Sequence, residues 1–233
     1  MKNVMLASTS TLFGEEYLAY LLPELSVFFA GVSEIIFIPF ARPSGISHDD
    51  YTEKVRETFA GLGIRVRGLH TFSEPETAIA AAQGFFTGGG NTFLLVQQLH
   101  DLNLMEVLKK RVESGIPYLG TSAGSNIGGV NMKNTNDMPI VYPSDFKTMA
   151  LVPFNLNAHY LDPDPTSTHN GETRATRIKE FHVFNDTPVV GLREGSWIRV
   201  KGEQISTEGS KDSRIFLAGI EPYELKPGSP LKF

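Results

Sequence analysis

Short apolar segments alternate with amphipathic segments through the first half of the chain, and this alternation limits the possible folds more than any other feature. The apolar segments are rich in β-branched and aromatic residues, which is typical of buried strands. They span residues 3–8, 34–41, 64–70, 84–89 and 117–122. Strands that alternate with helices form parallel sheets, because each helix returns the chain to the start of the next strand. We therefore predict an α/β fold with a mostly parallel central sheet and helices on both of its faces.

Two of the segments between these strands begin with a pattern typical of a helix start. Ser47 is followed three residues later by Asp50, and Ser73 is followed in the same way by Glu76. In such a capping box the serine and the acid each accept a hydrogen bond from a backbone N–H of the first turn. A third segment, 103–115, has apolar residues at helical spacing and ends at a glycine. These signals predict three helices between the strands.

The second half of the chain is less regular, but it contains no recognisable linker. Polar and proline-rich stretches follow residue 130, and one helical segment and four short strand-like segments come after them. A length of 233 residues lies within the range of one α/β domain. We therefore expect a single domain over residues 1–233.

The charge and cysteine content exclude several classes of protein. The chain has 21 basic and 26 acidic residues, a net charge of −5, which argues against a general nucleic-acid-binding protein. It has no cysteine, so disulfides, thiolate metal sites and a cysteine nucleophile are excluded. The N-terminal apolar run is too short for a signal peptide, and Pro23 and Glu24 interrupt the apolar segment 17–31. We expect a cytoplasmic protein without a membrane partner.

Residues 120–124, Gly-Thr-Ser-Ala-Gly, form a G-x-S-x-G pattern directly after a predicted strand. This pattern occurs in ordinary strand-to-helix turns and in the sharp turn that exposes a nucleophilic serine above a sheet. A nucleophilic Ser122 would need a base, and His159, His169 and His182 follow it in the chain. His159 is the best placed of the three, because it ends a strand-like run where a proline-rich loop begins. His169 lies in that loop, and His182 lies in a helical segment where a structural role is more common.

A glycine-rich segment, 87–92, leaves another predicted strand and opens a helix. Glycines let the backbone approach a substrate closely, and free N–H groups at a helix start favour an anion. The segment is either a plain turn or the source of a Gly90 N–H group that forms an oxyanion hole with the N–H of Ala123. A dinucleotide-binding loop is excluded, because Phe93 occupies the position where G-x-G-x-x-G requires glycine.

Two carboxylates are candidates for the acid that orients the base. Asp137 and Glu194 are each flanked by turn residues, and either could instead be a solvated loop charge. We expect no metal and no cofactor, because His159 and Asp162 lack partners at a recognised metal-ligand spacing.

The chain resembles the S51 family of serine peptidases in seven segments that occur in the family's order. These segments are 36–41, 88–93, 120–126, 135–141, 157–160, 171–178 and 191–198. The resemblance implies a sheet like that of the class I glutamine amidotransferases. It also implies metal-independent hydrolysis of dipeptides that begin with aspartate, through an aspartyl-enzyme intermediate.

Carried over residue by residue, the resemblance implies that Ser122 is the nucleophile and His159 the base. Both the Asp137 and the Glu194 positions have been proposed as the acid in this family. We favour Glu194, because a tight turn between two strands would hold it rigidly. We expect Asp137 to shape the pocket or to bind the substrate amine.

Two further residues are expected to bind substrate. Arg174 resembles the family's anchor for the aspartyl carboxylate, and Asn91 lies in the glycine-rich segment beside the predicted oxyanion hole. The expected partner is a small Asp-Xaa peptide, and the sequence leaves a homo-oligomer open.

Three alternative functions stay open at this point. A cyanophycinase-like hydrolase of the same family would cut β-aspartyl-arginine units, and the acidic residues within 162–164 could bind its basic leaving group. A catalytically inactive member would bind an acidic metabolite or a protein partner. An esterase of the α/β-hydrolase fold also carries G-x-S-x-G, but its acid lies between serine and histidine, which would require Asp137 rather than Glu194.

Overall fold

The computed structural model describes residues 1–166, 168 and 170–233. Within these residues the strands are β1 Asn3–Ala7, β2 Glu34–Ile38, β3 Arg65–Gly68, β4 Phe85–Thr87, β5 Tyr118–Thr121, β6 Asn155–Ala158, β7 Val189–Leu192, β8 Ser196–Lys201, β9 Gln204–Gly209, β10 Ser213–Leu217 and β11 Ile220–Leu225. The α-helices are α1 Leu22–Phe28, α2 His48–Ala60, α3 Pro75–Ala81, α4 Thr92–Asp101, α5 Met105–Glu113, α6 Ala123–Asn126 and α7 Arg174–Phe184. In the described part of the chain, no helix is both long enough and apolar enough to cross a membrane.

The central sheet has seven strands in the order β3-β2-β4-β5-β1-β8-β9. The first five strands in this order pair in parallel, whereas β8 and β9 add to the edge beside β1 as antiparallel strands. All five strands predicted in the first half of the chain lie in this sheet. The predicted α/β fold with a mostly parallel central sheet is therefore confirmed.

Helices cover both faces of the central sheet because successive strand residues point to opposite faces. Met5 and Phe37 pack with α1 and α2 on one face, while Leu6 and Ile38 pack with α3, α4 and α5 on the other. A strand that is buried on both faces needs apolar residues at consecutive positions, which explains the continuous apolar segments of the sequence.

A second sheet of four strands, in the order β11-β10-β7-β6, was not predicted as a separate layer. Helix α7 covers one face of this sheet, where Phe181 packs with Phe216. The other face contributes Val190 and Ile215 to the same apolar cluster as Leu6 of the central sheet. The shared core places the ends of β6 and β7 beside the carboxyl end of β1.

The two predicted capping boxes have different outcomes. At α2 the Ser47 hydroxyl accepts from the Asp50 N–H at 3.0 Å, which confirms the cap, but the Asp50 carboxylate accepts from the Ser47 hydroxyl at 2.6 Å rather than from a backbone N–H. The box predicted at Ser73 is wrong, because α3 begins at Pro75 with Glu74 at the N-cap and has no side-chain cap. Proline fixes a helical φ and has no N–H to satisfy, so it can begin a helix without a serine cap.

Candidate active site

Ser122 lies in a sharp turn between β5 and α6, where φ is 53° and ψ is −115°. A residue other than glycine adopts a positive φ only at a cost in backbone strain, of order 1–3 kcal/mol, and such residues cluster at functional sites. The Ser122 N–H donates to the Ala7 carbonyl at 3.1 Å, and this hydrogen bond connects the turn to the end of β1. The turn therefore presents the Ser122 side chain at the carboxyl edge of the central sheet.

Close packing explains both glycines of the G-x-S-x-G pattern. A Cβ at Gly120 would lie 2.4 Å from the Gly124 carbonyl oxygen, and one at Gly124 would lie 2.1 Å from the Thr87 carbonyl oxygen. The Gly124 oxygen belongs to the turn itself and the Thr87 oxygen to the end of β4, so neither can shift without moving backbone. A side chain at either position would displace the strand-to-helix turn that carries Ser122.

The glycine-rich segment 88–90 packs directly against the Ser122 turn. A Cβ at Gly89 would lie 2.9 Å from the Ser122 Cβ, and Gly90, with φ of 150°, would place a Cβ 2.1 Å from the Ala41 carbonyl oxygen. Among the described residues, the N–H groups of Gly90 and Ala123 have no hydrogen-bond acceptor. Two unpaired backbone donors beside a serine are the groups that an oxyanion hole requires.

His159 follows β6 directly and also has a positive φ, of 53°. Its N–H donates to the Ser8 hydroxyl at 2.9 Å, and this hydroxyl donates to the Leu192 carbonyl at 2.6 Å. Because Ala7 accepts from Ser122 while Ser8 accepts from His159, the end of β1 joins the two segments. The sequence reasoning missed Ser8, because its partner His159 is 151 residues away in the chain.

Glu194 is the carboxylate that contacts the histidine. The His159 Nδ1 lies 2.6 Å from the Glu194 Oε1, and both side chains are part-exposed, at 40% and 49%. Glu194 is in the turn between β7 and β8, where Gly195 has a φ of 92°. A carboxylate at Nδ1 favours the tautomer with the proton on that nitrogen, which leaves the lone pair on Nε2 as the proton acceptor.

Asp137 and Asn91 instead bind the first turn of α4. The Asp137 Oδ2 accepts from the Thr92 N–H at 2.7 Å, and a carboxylate is stabilised at this positive end of a helix. The Asn91 Oδ1 accepts from the Leu94 N–H at 3.0 Å, and its Nδ2 donates to the Met138 carbonyl at 2.8 Å. The structure thus gives both side chains a structural role, and the substrate-binding roles expected for them stay predictions.

A cavity of about 680 Å³ opens beside the His159–Glu194 pair and also contains Arg174, the first residue of α7. None of the described carboxylates lies within ion-pair distance of Arg174. Burial lowers the pKa of the Arg174 guanidinium, Arg177 lowers it further, and the charge of Asp137 acts in the opposite direction. An unpaired, partly buried cation at a helix N-terminus is suited to bind a carboxylate.

Arg193 is the centre of an ion-pair network that forms one wall of this cavity. Its guanidinium contacts both carboxylate oxygens of Asp162 at 2.7 Å and reaches Glu224 at 2.8 and 3.0 Å. Arg214 lies 3.6 Å from Asp162 and 3.4 Å from Glu224. Through this network Asp162, which follows His159 in the chain, is held against Arg193, which precedes Glu194. The two arginines also balance the negative charge of Asp162.

Replacement of Asp162 by asparagine is expected to lower stability only where the carboxylate is ionised. The hydrogen bonds from Arg193 hold the pKa of Asp162 below its ordinary value, so its contribution is present above about pH 4 and is lost as the pH falls further. The carboxylate is half exposed, so we expect a loss of at most about 1 kcal/mol in unfolding free energy at pH 7. Urea unfolding of both proteins checks this, and a difference that persisted unchanged at pH 3 would contradict it.

The other two candidate bases are not part of this arrangement. The His182 Nε2 lies 3.0 Å from the Thr187 carbonyl oxygen, where it joins the end of α7 to the next loop. His169 lies outside the described residues. Within 1–166, 168 and 170–233 there is no cluster of three or more histidine, aspartate or glutamate residues that could hold a metal ion.

Comparisons with known proteins identify the family to which the chain belongs. The sequence profile of peptidase family S51 matches residues 4–208. Peptidase E of Streptomyces coelicolor is 46% identical over 229 residues, which cover 98% of this chain and 93% of that protein. A Drosophila melanogaster protein named "Probable alpha-aspartyl dipeptidase" is 42% identical over 235 residues, covering 100% and 97% of the two chains.

A solved structure supports the fold separately. The crystal structure of a peptidase from an acI-B1 actinobacterium superimposes with a TM-score of 0.76, over 100% of this chain and 97% of that one. Its sequence identity is 16%, so this similarity concerns the fold alone. The family profile and the close relatives decide the classification: the chain belongs to peptidase family S51.

Proposed function

We propose that the protein is a serine-type dipeptidase that hydrolyses dipeptides with an N-terminal aspartate. The observation that carries this proposal is the 2.6 Å contact between His159 Nδ1 and Glu194 Oε1, at the same sheet edge as the strained Ser122 turn. The adjoining cavity contains Arg174, a cation that could accept an aspartyl side chain. The names of the S. coelicolor and D. melanogaster relatives support the same activity.

The geometry suggests a role for each group in peptide hydrolysis. His159 would remove the proton from the Ser122 hydroxyl through Nε2, and the Ser122 Oγ would attack the scissile carbonyl carbon. The N–H groups of Gly90 and Ala123 would stabilise the negative charge that forms on the carbonyl oxygen. His159 would then donate the proton to the leaving amine, and water would release aspartate from the acyl-enzyme. Glu194 would keep the imidazole oriented and stabilise its charged form.

Specificity for aspartate would depend on Arg174. A guanidinium can bind both oxygens of a carboxylate at once, which a lysine ammonium cannot do in the same geometry. Because no described carboxylate pairs with Arg174, the side chain of the substrate would not have to displace an internal partner.

The structure gives the β-aspartyl-arginine alternative little support. An arginine leaving group would need a free acidic subsite, but Asp162 is already paired with Arg193 and Arg214. Asp164, the other acid of that loop, is exposed and does not line the cavity that contains His159. We therefore favour the α-aspartyl dipeptide.

Hydrolysis of four dipeptides by the purified protein in EDTA tests the proposed function. We expect cleavage of Asp-Leu, and little or no cleavage of β-Asp-Leu, Glu-Leu and Ala-Leu. Cleavage of β-Asp-Leu in place of Asp-Leu would favour the cyanophycinase-like alternative. Cleavage of none of the four would favour a protein that binds but does not hydrolyse.

Replacement of Arg174 by alanine is expected to lower kcat/KM for Asp-Leu by about tenfold to a hundredfold, which corresponds to one charged hydrogen-bonded pair. The much lower rate with Ala-Leu should change little, because alanine has no carboxylate for Arg174 to bind. Lys179→Ala, on the exposed side of the same helix, is the matched control. If the preference for Asp-Leu over Ala-Leu survives in Arg174→Ala, another residue binds the aspartyl carboxylate.

A further inference from the structure

A second cavity, of about 370 Å³, lies beyond the carboxyl ends of β1 and β2. Its lining includes two cations, Arg42 and Lys54, two tyrosines, Tyr17 and Tyr51, and several hydroxyl groups. We call it the Arg42 cavity. None of the described residues that line it is acidic, so its charge is positive.

Tyr51 connects the Arg42 cavity to the glycine-rich segment of the candidate active site. Its hydroxyl accepts from the Gly89 N–H at 3.0 Å, and Gly89 packs against the Ser122 side chain. The ring of Tyr51 also lies below the Arg42 guanidinium, 5.0 Å from its central carbon. One tyrosine side chain therefore spans the distance between the cavity and the backbone that touches Ser122.

The backbone before Arg42 makes a second connection to the same place. The Ala41 carbonyl accepts from the Asn91 N–H at 2.7 Å and is the group that leaves no space for a Cβ at Gly90. Arg42 is thus one residue away from a direct contact with Gly90, whose N–H is the proposed oxyanion donor. The Arg42 cavity and the cavity that contains Arg174 are lined by different residues: the latter includes the base His159, and the former includes Tyr51, which bonds the Gly89 backbone beside Ser122.

Two polar groups that line the Arg42 cavity have no partner among the described residues. In the described part of the chain, the Arg42 Nε and the Tyr17 hydroxyl are buried without a hydrogen-bond partner. Lys54 lies over the Tyr17 ring at 4.9 Å, and no described carboxylate is within ion-pair distance of Lys54 or Arg42. A buried donor without a partner costs free energy, and a small anion would provide the missing acceptor, while the exposed Lys54 adds positive charge at the cavity mouth.

We propose that the Arg42 cavity binds the α-carboxylate of the residue that leaves during hydrolysis. An Asp-Xaa dipeptide carries one carboxylate on each side of its scissile bond, and among the described residues no carboxylate forms an ion pair with Arg174, Arg42 or Lys54. The α-carboxylate carbon is only roughly 4 Å from the scissile carbonyl carbon, so its subsite must adjoin Ser122. This inference rests on the proposed function. It adds that dipeptides are preferred because a longer or amidated peptide would place a neutral amide beside these cations.

The test compares Asp-Leu with Asp-Leu amide, which differ only in the terminal charge. We expect the wild type to hydrolyse Asp-Leu with a kcat/KM about tenfold to a hundredfold higher. In Arg42→Met and in Lys54→Met the ratio of kcat/KM for Asp-Leu to that for its amide should fall toward one. The fall should come from a lower kcat/KM for Asp-Leu, with the value for the amide unchanged. Lys110→Met, on the opposite side of the central sheet, should keep the wild-type ratio. Thermal unfolding of each variant confirms that it is folded.

Calorimetric binding to the Ser122→Ala protein separates the subsite from the catalytic proposal. Asp-Leu should bind more tightly than its amide, and the difference should disappear when Arg42→Met or Lys54→Met is added. Equal affinities, or a difference that both variants retain, would overturn the subsite and leave the proposed function intact. If the wild type fails to cleave Asp-Leu, the proposed function is wrong. The anion site can then be tested by itself with N-acetylleucine, whose binding should require its carboxylate, Arg42 and Lys54. Absence of such binding would overturn both.

Discussion

Replacement of Ser122 by alanine is expected to lower kcat for Asp-Leu by about six orders of magnitude. Losses of this size occur when the nucleophile of a serine hydrolase is removed, because the nucleophile and its base work only together. Without the Ser122 Oγ no acyl-enzyme can form, and His159 has no hydroxyl from which to take a proton. What activity remains would come from the oxyanion hole and from substrate binding. Steady-state and single-turnover assays of Asp-Leu hydrolysis measure the effect.

The fold should survive this substitution, so the loss of activity can be assigned to chemistry. Alanine keeps the Cβ at the same backbone angles, and the Ser122 N–H still donates to Ala7. Ser122→Gly should even raise the unfolding free energy, because glycine relieves the strain of a positive φ. A Ser122→Ala protein that is folded and retains more than a hundredth of the wild-type kcat would exclude Ser122 as the nucleophile.

The second large effect is expected from Glu194→Gln, which should lower kcat by about four orders of magnitude. The neutral amide cannot stabilise a charged imidazole, and it allows the tautomer in which Nε2 carries the proton and cannot accept another. The 2.6 Å contact of Glu194 with His159 Nδ1 is the reason for choosing this acid. Substrate affinity should change much less than kcat.

Asp137→Asn is the matched comparison, because both carboxylates are candidates from the sequence. Its Oδ2 accepts from the Thr92 N–H at the start of α4, so its loss should lower the unfolding free energy by about 1 kcal/mol. The kcat should stay close to that of the wild type. Because the charge of Asp137 acts on Arg174, any change in substrate binding would appear in KM. If Asp137→Asn loses kcat while Glu194→Gln keeps it, Asp137 is the acid.

Features that depend on neighbours in the sequence were predicted well. The strand segments and the helix start at Ser47 follow from the apolar pattern and from a hydrogen bond between residues three positions apart. The strand-to-helix turn at Ser122 is encoded locally too, since Gly120 packs against Gly124 within the same few residues. The cap at Ser73 was the exception, because the proline two residues later also begins a helix and decided where α3 starts.

The second sheet and the side-chain contacts of the active site could not be predicted in this way. Glu194 lies 35 residues from His159, and Ser8 lies 151 residues from it, so no local pattern distinguishes these partners from other loop residues. The family resemblance and the position of Glu194 in a turn favour this acid, but only the tertiary structure shows its contact with His159.

By itself, the sequence determined the order of strands and helices, the two close-packed glycines and the set of polar residues at the ends of strands. Only the tertiary structure decided which of those polar residues meet. Backbone preferences act over a few residues, whereas the distance between side chains on different strands depends on how the two sheets pack around their shared core. That packing places Glu194 against His159, assigns Asp137 to the start of α4, and leaves Arg174 and Arg42 without a carboxylate partner among the described residues.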